Sequence, residues 1–302
     1  MSPAQISVVI GSQNARHTIC DCLGTIKRQL EGKEAEIVVA DSSTDGTAEL
    51  IEKDFPEVTL IKAASDSLVP HLWGIGMDRA TGPIVAITTG HCIPEPQWIE
   101  NILQAAQSHA QFDGFGGPIG APITGSAKDW AIYFSRFSAF MPPVTNGPTK
   151  DIPGDNAAYR KDALDRCWAD REKGFWETLF HDALRADGKQ LYMSEDVEVR
   201  LGNGGKALDY FGIRFKHGFH YGSTRPNNKG LIRIVRICAA PVLMPYLVLR
   251  MGKRIGQRKP EWLSRYILCL PWLVFFTTAW SLGEISGYLK SGNLQSGNNE
   301  LA

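Results

Sequence analysis

Short apolar runs alternate with amphipathic stretches over the first hundred residues. Ile6-Ser-Val-Val-Ile10, closed by Gly11, has the continuous hydrophobicity of a strand buried on both faces. The spacing predicts a helix over Arg16 to Leu30, then a second strand over Glu36 to Ala40 that ends in Asp41. Ser43-Thr-Asp45-Gly-Thr47 supplies turn and N-cap chemistry for a second helix running through Glu52. A third strand is predicted over Val58 to Lys62, a helix around Leu68 to Ala80, and a fourth strand over Ile84 to Ile87. Strand–helix alternation with short connections predicts an α/β fold: a Rossmann-like, open, mostly parallel sheet flanked by helices. Beyond Ile99 the pattern loosens into Gly, Pro and aromatic residues through Lys150, with further helices expected over Lys161 to Cys167 and Trp176 to Ala186.

The last third reads differently. After Asp209 the chain is rich in Lys and Arg, poor in acid, and crowded with apolar residues. Ile237 to Leu249 contains Pro241 and Pro245; as a helix it would reach about 20 Å, short of a hydrocarbon core of about 30 Å. Tyr266 to Gly283, with Trp272 and Trp280, sits at the lower limit for spanning. Lys253, Arg254, Arg258, Lys259 and Arg265 lie between the two runs. The positive-inside tendency places that basic segment in the cytosol, the first run in the membrane interface, and the second either beside it or crossing once. The expectation is membrane-associated helices with the α/β domain on the cytoplasmic face. Core helices or an oligomer interface are the soluble alternative.

Composition changes the picture little. Lys+Arg and Asp+Glu number 32 each over 302 residues, so no global field calls for nucleic acid. The six Cys have no framework spacing and read as reduced thiols, in keeping with a reducing compartment. The first strand begins almost at once, with no basic-then-apolar leader before it.

Ligands of open α/β sheets sit off the carboxyl ends of the strands, which singles out Gly11 to Asn14, Asp41 to Ser43, Ala63 to Asp66 and Thr88 to His91. At these positions a resemblance appears. Ser7-Val-Val-Ile-Gly11 followed by Glu36-Ile-Val-Val-Ala-Asp-Ser-Ser-Thr-Asp-Gly-Thr47 resembles the opening of family 2 glycosyltransferases. The likeness continues through Gly76-x-x-x-Ala80-x-Gly82, Cys92-Ile-Pro94, Trp98, Gly154-Asp-Asn156 and Tyr159-Arg160, and covers about residues 5 to 225. It implies a GT-A fold and an inverting transfer from a nucleotide-diphosphate sugar. Gly11, Ser12, Asn14, Asp41, Ser43, Asp66, Thr89 and His91 would bind the donor, with Asp41 accepting from the nucleotide base. Asp155, Asn156, His217, His220 and Arg225 would meet acceptor or diphosphate.

Two departures matter. Where the family carries Asp-x-Asp and binds Mg or Mn, this chain has Thr89-Gly90-His91. His91 is then either a metal ligand or a donor facing the diphosphate directly. The base that deprotonates the acceptor also has two candidates. Gly174-Phe-Trp-Glu177, followed by Leu184 and Gly188, resembles the family's Gly-Glu-Asp helix start; Ser194-Glu195-Asp196 resembles the bare motif but is followed closely by Gly202-Asn-Gly-Gly205. Glu177 is favoured over Asp196. The implied organisation is a transferase domain over 1–228 (nucleotide half 1–100, acceptor half 101–228), a hydrophobic membrane-associated helical region over 229–290, and a polar tail over 291–302. A membrane lipid or lipid-linked acceptor follows from the hydrophobic region. The rival reading is a non-catalytic relative serving as a membrane-bound assembly subunit. A nucleotidyltransferase would need a Gly-rich basic loop after the first strand, and none is present.

Overall fold

Strand β1 (Ile6–Ser12) is buried along its whole length, which explains its unbroken apolar character. It lies at the centre of a parallel set with β2 (Ala35–Asp41), β3 (Thr59–Lys62) and β4 (Ile84–Thr89), in the order β3-β2-β1-β4. Helices α1 (Ile19–Leu30), α2 (Thr47–Asp54) and α3 (Val69–Met77) make the connections. On α3, Gly76 lets the helix settle on the sheet, since a side chain there would collide with Val9. This computed structural model describes residues 4–123, 125–202, 205–225 and 228–296. Within it the chain forms two units: Met1–Thr124 with Phe140–Asn203, and Gly125–Ala139 with Gly204–Ala302.

In the first unit the sheet continues past the parallel set. After β5 (Cys92–Pro94), α4 (Trp98–Ser108), β6 (Gly114–Gly116) and β7 (Ile119–Gly120), the chain supplies α5 (Ala127–Phe137) to the second unit. It returns with β8 (Gly147–Thr149), β9 (Asn156–Arg160), α6 (Lys161–Cys167), α7 (Glu177–Ala186), β10 (Leu191–Met193) and β11 (Val199–Leu201). β9 inserts antiparallel between β4 and β6, completing an eight-stranded sheet; β5, β11 and β7 form a separate small one. The result is a mixed α/β sheet flanked by helices.

The region that reads as loose beyond Ile99 is in fact ordered. α4 buries Trp98, Ile99, Ile102, Ala105 and Ala106, a helical spacing that starts just after Pro94 and Pro96 and so hides in a loop-like context. α5 is capped by Ser126, whose hydroxyl accepts from the Asp129 N–H at 3.1 Å.

The second unit is helical. α8 (Ala207–Ser223) takes up the segment Phe215 to Arg225 almost whole, so its donor cluster is helical. α9 (Gly230–Arg258) and α10 (Leu263–Ser296) follow, joined by a single turn at Pro260–Trp262. Gly218 and Gly222 of α8 face Gly283 and Gly287 of α10. A Cβ at any of the four would collide with the opposing backbone, so the helices pack main chain to main chain. The apolar runs are parts of longer helices than the sequence suggests, because Pro241, Pro245 and Pro271 are carried inside them. Both helices are long and apolar enough to cross a membrane, by length and composition. The most apolar stretch of α9 is almost wholly exposed, whereas that of α10 is nearly half buried, mainly by α8, α9 and α5. Residues 297–302 of the expected polar tail, and Asn203 and Gly204 of the glycine break, lie outside the described residues.

Candidate active site

The strand register brings the candidate residues to one edge. Ser12 pairs with Asp41, Gly11 with Thr89, and Thr88 with Asn156, so the carboxyl ends of β1, β2 and β4 meet the start of β9. At the β2 end, the buried Asp41 carboxylate accepts from the Ser43 hydroxyl at 2.6 Å and the Ser43 N–H at 3.1 Å. A carboxylate offers about four acceptor sites, so this turn leaves room for a further donor. Asn14 sits in the left-handed region (φ 53°). Its N–H donates to Ser43 Oγ at 2.7 Å and its Oδ1 accepts from the Thr44 N–H at 2.9 Å. Together these bonds lock the β1 and β2 loops. Ser12 Oγ is buried in the same place with no hydrogen-bond partner among the described residues. Asp66 lies exposed on the loop after β3.

At the β4 end, Thr88 Oγ1 donates to the Asp155 carbonyl at 2.8 Å and Thr89 Oγ1 to Asp155 Oδ1 at 3.1 Å. The Asp155 carboxylate, absent from the segment after β4 itself, is thus delivered to that strand end from the start of β9. His91 Nε2 lies 2.9 Å from the Gln13 carbonyl. A carbonyl only accepts, so Nε2 carries the proton, and the ring's lone pair is on Nδ1. Among the described residues no group of three or more His, Cys, Asp or Glu side chains could hold a metal ion. The described side chains therefore do not by themselves build a Mg or Mn sphere.

The two candidate bases separate clearly. Glu177 begins α7, and its carboxyl carbon lies 3.2 Å from where a Cβ on Gly154 would sit, one residue from Asp155. Trp73 closes the floor beneath them. Its indole N–H donates to the Thr88 carbonyl at 2.7 Å, and its ring edges lie against both Gly11 and Gly154. The absence of side chains at Gly11 and Gly154 therefore shapes the space next to the strand ends. Asp196 is exposed, with its carbonyl accepting from Asn101 at 2.6 Å. Its neighbour Glu198 has its carboxyl pushed up by burial, reinforced by Glu95 and opposed by Arg200.

Asn156 has a different job from the one its motif suggests. Its Nδ2 donates to the Pro118 and Val197 carbonyls at 2.9 and 2.7 Å, and its Oδ1 accepts from Trp98 Nε1 at 2.7 Å. Both amide hydrogens are committed to the fold, so Asn156 clamps the site's wall and has no donor left for a ligand. His217 and His220 lie within α8 in the other unit, and Arg225 follows that helix with its guanidinium 4.1 Å over the Tyr221 ring.

The sequence pattern gave no hint of two further participants: Trp73 and a buried chain behind Glu177. In that chain Tyr159 Oη lies 2.8 Å from His181 Nε2, and His181 Nδ1 lies 3.2 Å from Asp151 Oδ1. His181 is one helical turn beyond Glu177 and fully buried, so this chain fixes the rotation of α7. Burial drives the Tyr159 hydroxyl well above its ordinary pKa, with the charges of Glu177 and Asp151 adding to the effect.

Residues 7–168 match the family described as Glycosyl transferase family 2. No curated protein matches the chain. Among solved structures it is similar to a mannosyltransferase from Pyrobaculum calidifontis, determined with GDP-Man and Mn2+. That pair shares 18% identity and a TM-score of 0.49, over 90% of this chain and 86% of that one. It is also similar to TarS residues 1–349 of S. aureus, with 13% identity and a TM-score of 0.48 over 96% and 92% of the two chains.

Proposed function

The chain belongs to glycosyl transferase family 2, and from that membership we propose that it moves a sugar from a nucleoside-diphosphate donor, with inversion, to a membrane-proximal, lipid or lipid-linked acceptor. The observation that carries the reading is the Gly154 junction. There a helix-start carboxylate, Glu177, comes beside the strand-end cluster of Asp155, Thr89 and Trp73.

In this reading the loops after β1 and β2 hold the nucleotide, with Asp41 accepting from a base N–H and Ser12 Oγ gaining its missing partner. The acceptor hydroxyl oxygen forms a bond to the anomeric carbon while the bond from that carbon to the diphosphate oxygen breaks. The nucleoside diphosphate leaves with the electron pair, and the hydroxyl proton passes to Glu177. Preorganised donors stabilise the growing diphosphate charge, and in this reading the Ser12 hydroxyl and main-chain N–H groups of the β1 loop supply them. The exposed apolar face of α9 supports a membrane-proximal acceptor.

The absence of an acidic pair in Thr89-Gly90-His91 favours one other reading, a non-catalytic relative that serves as a membrane-bound assembly subunit. A donor screen separates the two. The purified chain is mixed with UDP- or GDP-sugars and a membrane lipid extract, and release of UDP or GDP is followed. Release of one nucleotide supports transfer. Failure of every donor to bind, by calorimetric titration with and without Mn2+, overturns it.

A further inference from the structure

The second unit contains a cavity of about 470 Å³ between α5, α8, α9 and α10 that the sugar-transfer reading does not use. Four arginines line it, Arg136, Arg214, Arg250 and Arg254, against a single carboxylate, Glu284. That carboxylate is already engaged, accepting from the Tyr288 hydroxyl at 2.6 Å and from Trp280 Nε1 at 3.2 Å. Arg214 is the most constrained of the four. Its guanidinium lies 4.4 Å over the Trp280 ring, and its Nε is buried with no hydrogen-bond partner among the described residues. Burial works against its charged form, opposed by Tyr210 and reinforced by Arg136. A cavity lined by four guanidinium groups against one engaged carboxylate calls for an oxyanion.

The rest of the lining says what carries that anion. Leu243, Met244 and Leu247 of α9 form an apolar wall beside the arginines. α9 continues outside the cavity as an exposed apolar surface that includes Val235, Val242 and Leu249. A free inorganic anion has no use for such a wall, and a neutral amphiphile has no use for four arginines. We propose that this cavity binds the headgroup phosphate of an anionic lipid, with the lipid chains lying along α9. Guanidinium groups of the lining hold the phosphate oxygens, and the apolar wall limits water around them. The site is confined to the second unit and does not depend on the sugar-transfer reading.

The test uses the full chain in neutral detergent, titrated calorimetrically with short-chain phosphatidic acid, phosphatidylcholine of the same chain length, and inorganic phosphate. Phosphatidic acid should bind at one site per chain, and more tightly than either other ligand. Arg254→Gln should weaken it about fivefold, the loss expected for one cationic contact near an anionic headgroup. The pair Arg214→Gln and Arg254→Gln should weaken it about 25-fold, while Arg214→Lys with Arg254→Lys, which keeps the charge and loses the planar fork, should recover only part of that loss. Lys253→Gln, which removes an exposed charge of α9 outside the cavity, should change it less than twofold. Equal affinity for phosphatidylcholine overturns the proposal, because charge then plays no part. Equal affinity for inorganic phosphate overturns the lipid assignment. A loss in Lys253→Gln as large as in Arg254→Gln makes the attraction diffuse and overturns the cavity. Sugar-nucleotide binding, followed in the same variants, should be unchanged; its loss in wild type would count against the sugar-transfer reading alone.

Discussion

Asn156→Ala probes whether the motif Gly154-Asp-Asn156 touches ligand at its third position or holds the wall of the site. The side chain is fully buried and makes three hydrogen bonds: two to the Pro118 and Val197 carbonyls and one from the Trp98 indole. Truncation strands all three partners in the interior. Each unsatisfied buried group costs about 1–3 kcal/mol, and the carbonyls can recover part of theirs through relaxation, so the sum is about 3–5 kcal/mol. With a urea slope of about 1–3 kcal/mol/M, the denaturation midpoint of the first unit should fall by at least about 1 M. Asn156→Asp keeps the shape but replaces two donors with an anion facing two carbonyl oxygens. It should destabilise at least as much at neutral pH and regain stability as the pH falls and the carboxyl is protonated. The folded fraction of either variant should still bind a sugar nucleotide. The reasoning is refuted if Asn156→Ala unfolds at the wild-type midpoint but no longer binds donor, because the amide would then face ligand.

Further expectations follow from the same geometry. Trp73→Phe removes the bond to the Thr88 carbonyl while leaving most of the ring. It should lower stability by about 1–3 kcal/mol through the stranded carbonyl, read by chemical denaturation. Hydrogen bonding from His181 holds the Asp151 carboxyl below its ordinary range; burial opposes this, and the charges of His181, Arg185 and Lys150 assist. The unfolded chain therefore binds this proton first as the pH drops through about 4, so stability present above that pH is lost as it falls toward the folded value. Asp151→Asn should flatten this acid limb in a pH series of melting temperatures. Gly218→Leu forces a side chain into the Trp280 main chain and should separate α8 from α10. Crosslinking between cysteines introduced on the two helices, efficient in the parent, would persist if that packing were wrong.

The parallel half of the sheet was legible because buried strands leave unbroken apolar runs, and the strand-end positions followed from the topology alone. What lay across the sheet was not. Asp155 reaches the β4 end from a strand 67 residues later in the chain, through antiparallel insertion of β9, and no periodicity announces such a pairing. The sequence shows Asp-Asn together, but only the pairing reveals that Asp155 faces the strand ends while Asn156 turns into the wall. Trp73 and His181 fall within the helices predicted around Leu68 to Ala80 and over Trp176 to Ala186, where burial and site formation leave the same pattern. In the segment from Phe215 to Arg225 the sequence shows a cluster of donors and assigns no role to the glycines among them. They serve as the close-contact face of a helix pair, a use that depends on a partner distant in sequence.

The central claim is that Glu177 removes the acceptor's proton. Its most direct test is Glu177→Gln, with donor affinity and nucleoside-diphosphate release measured in the same preparation once a productive donor and acceptor are found. Donor affinity should be unchanged and release slowed by about 10²–10⁴. Release at the wild-type rate would contradict it and move the base elsewhere.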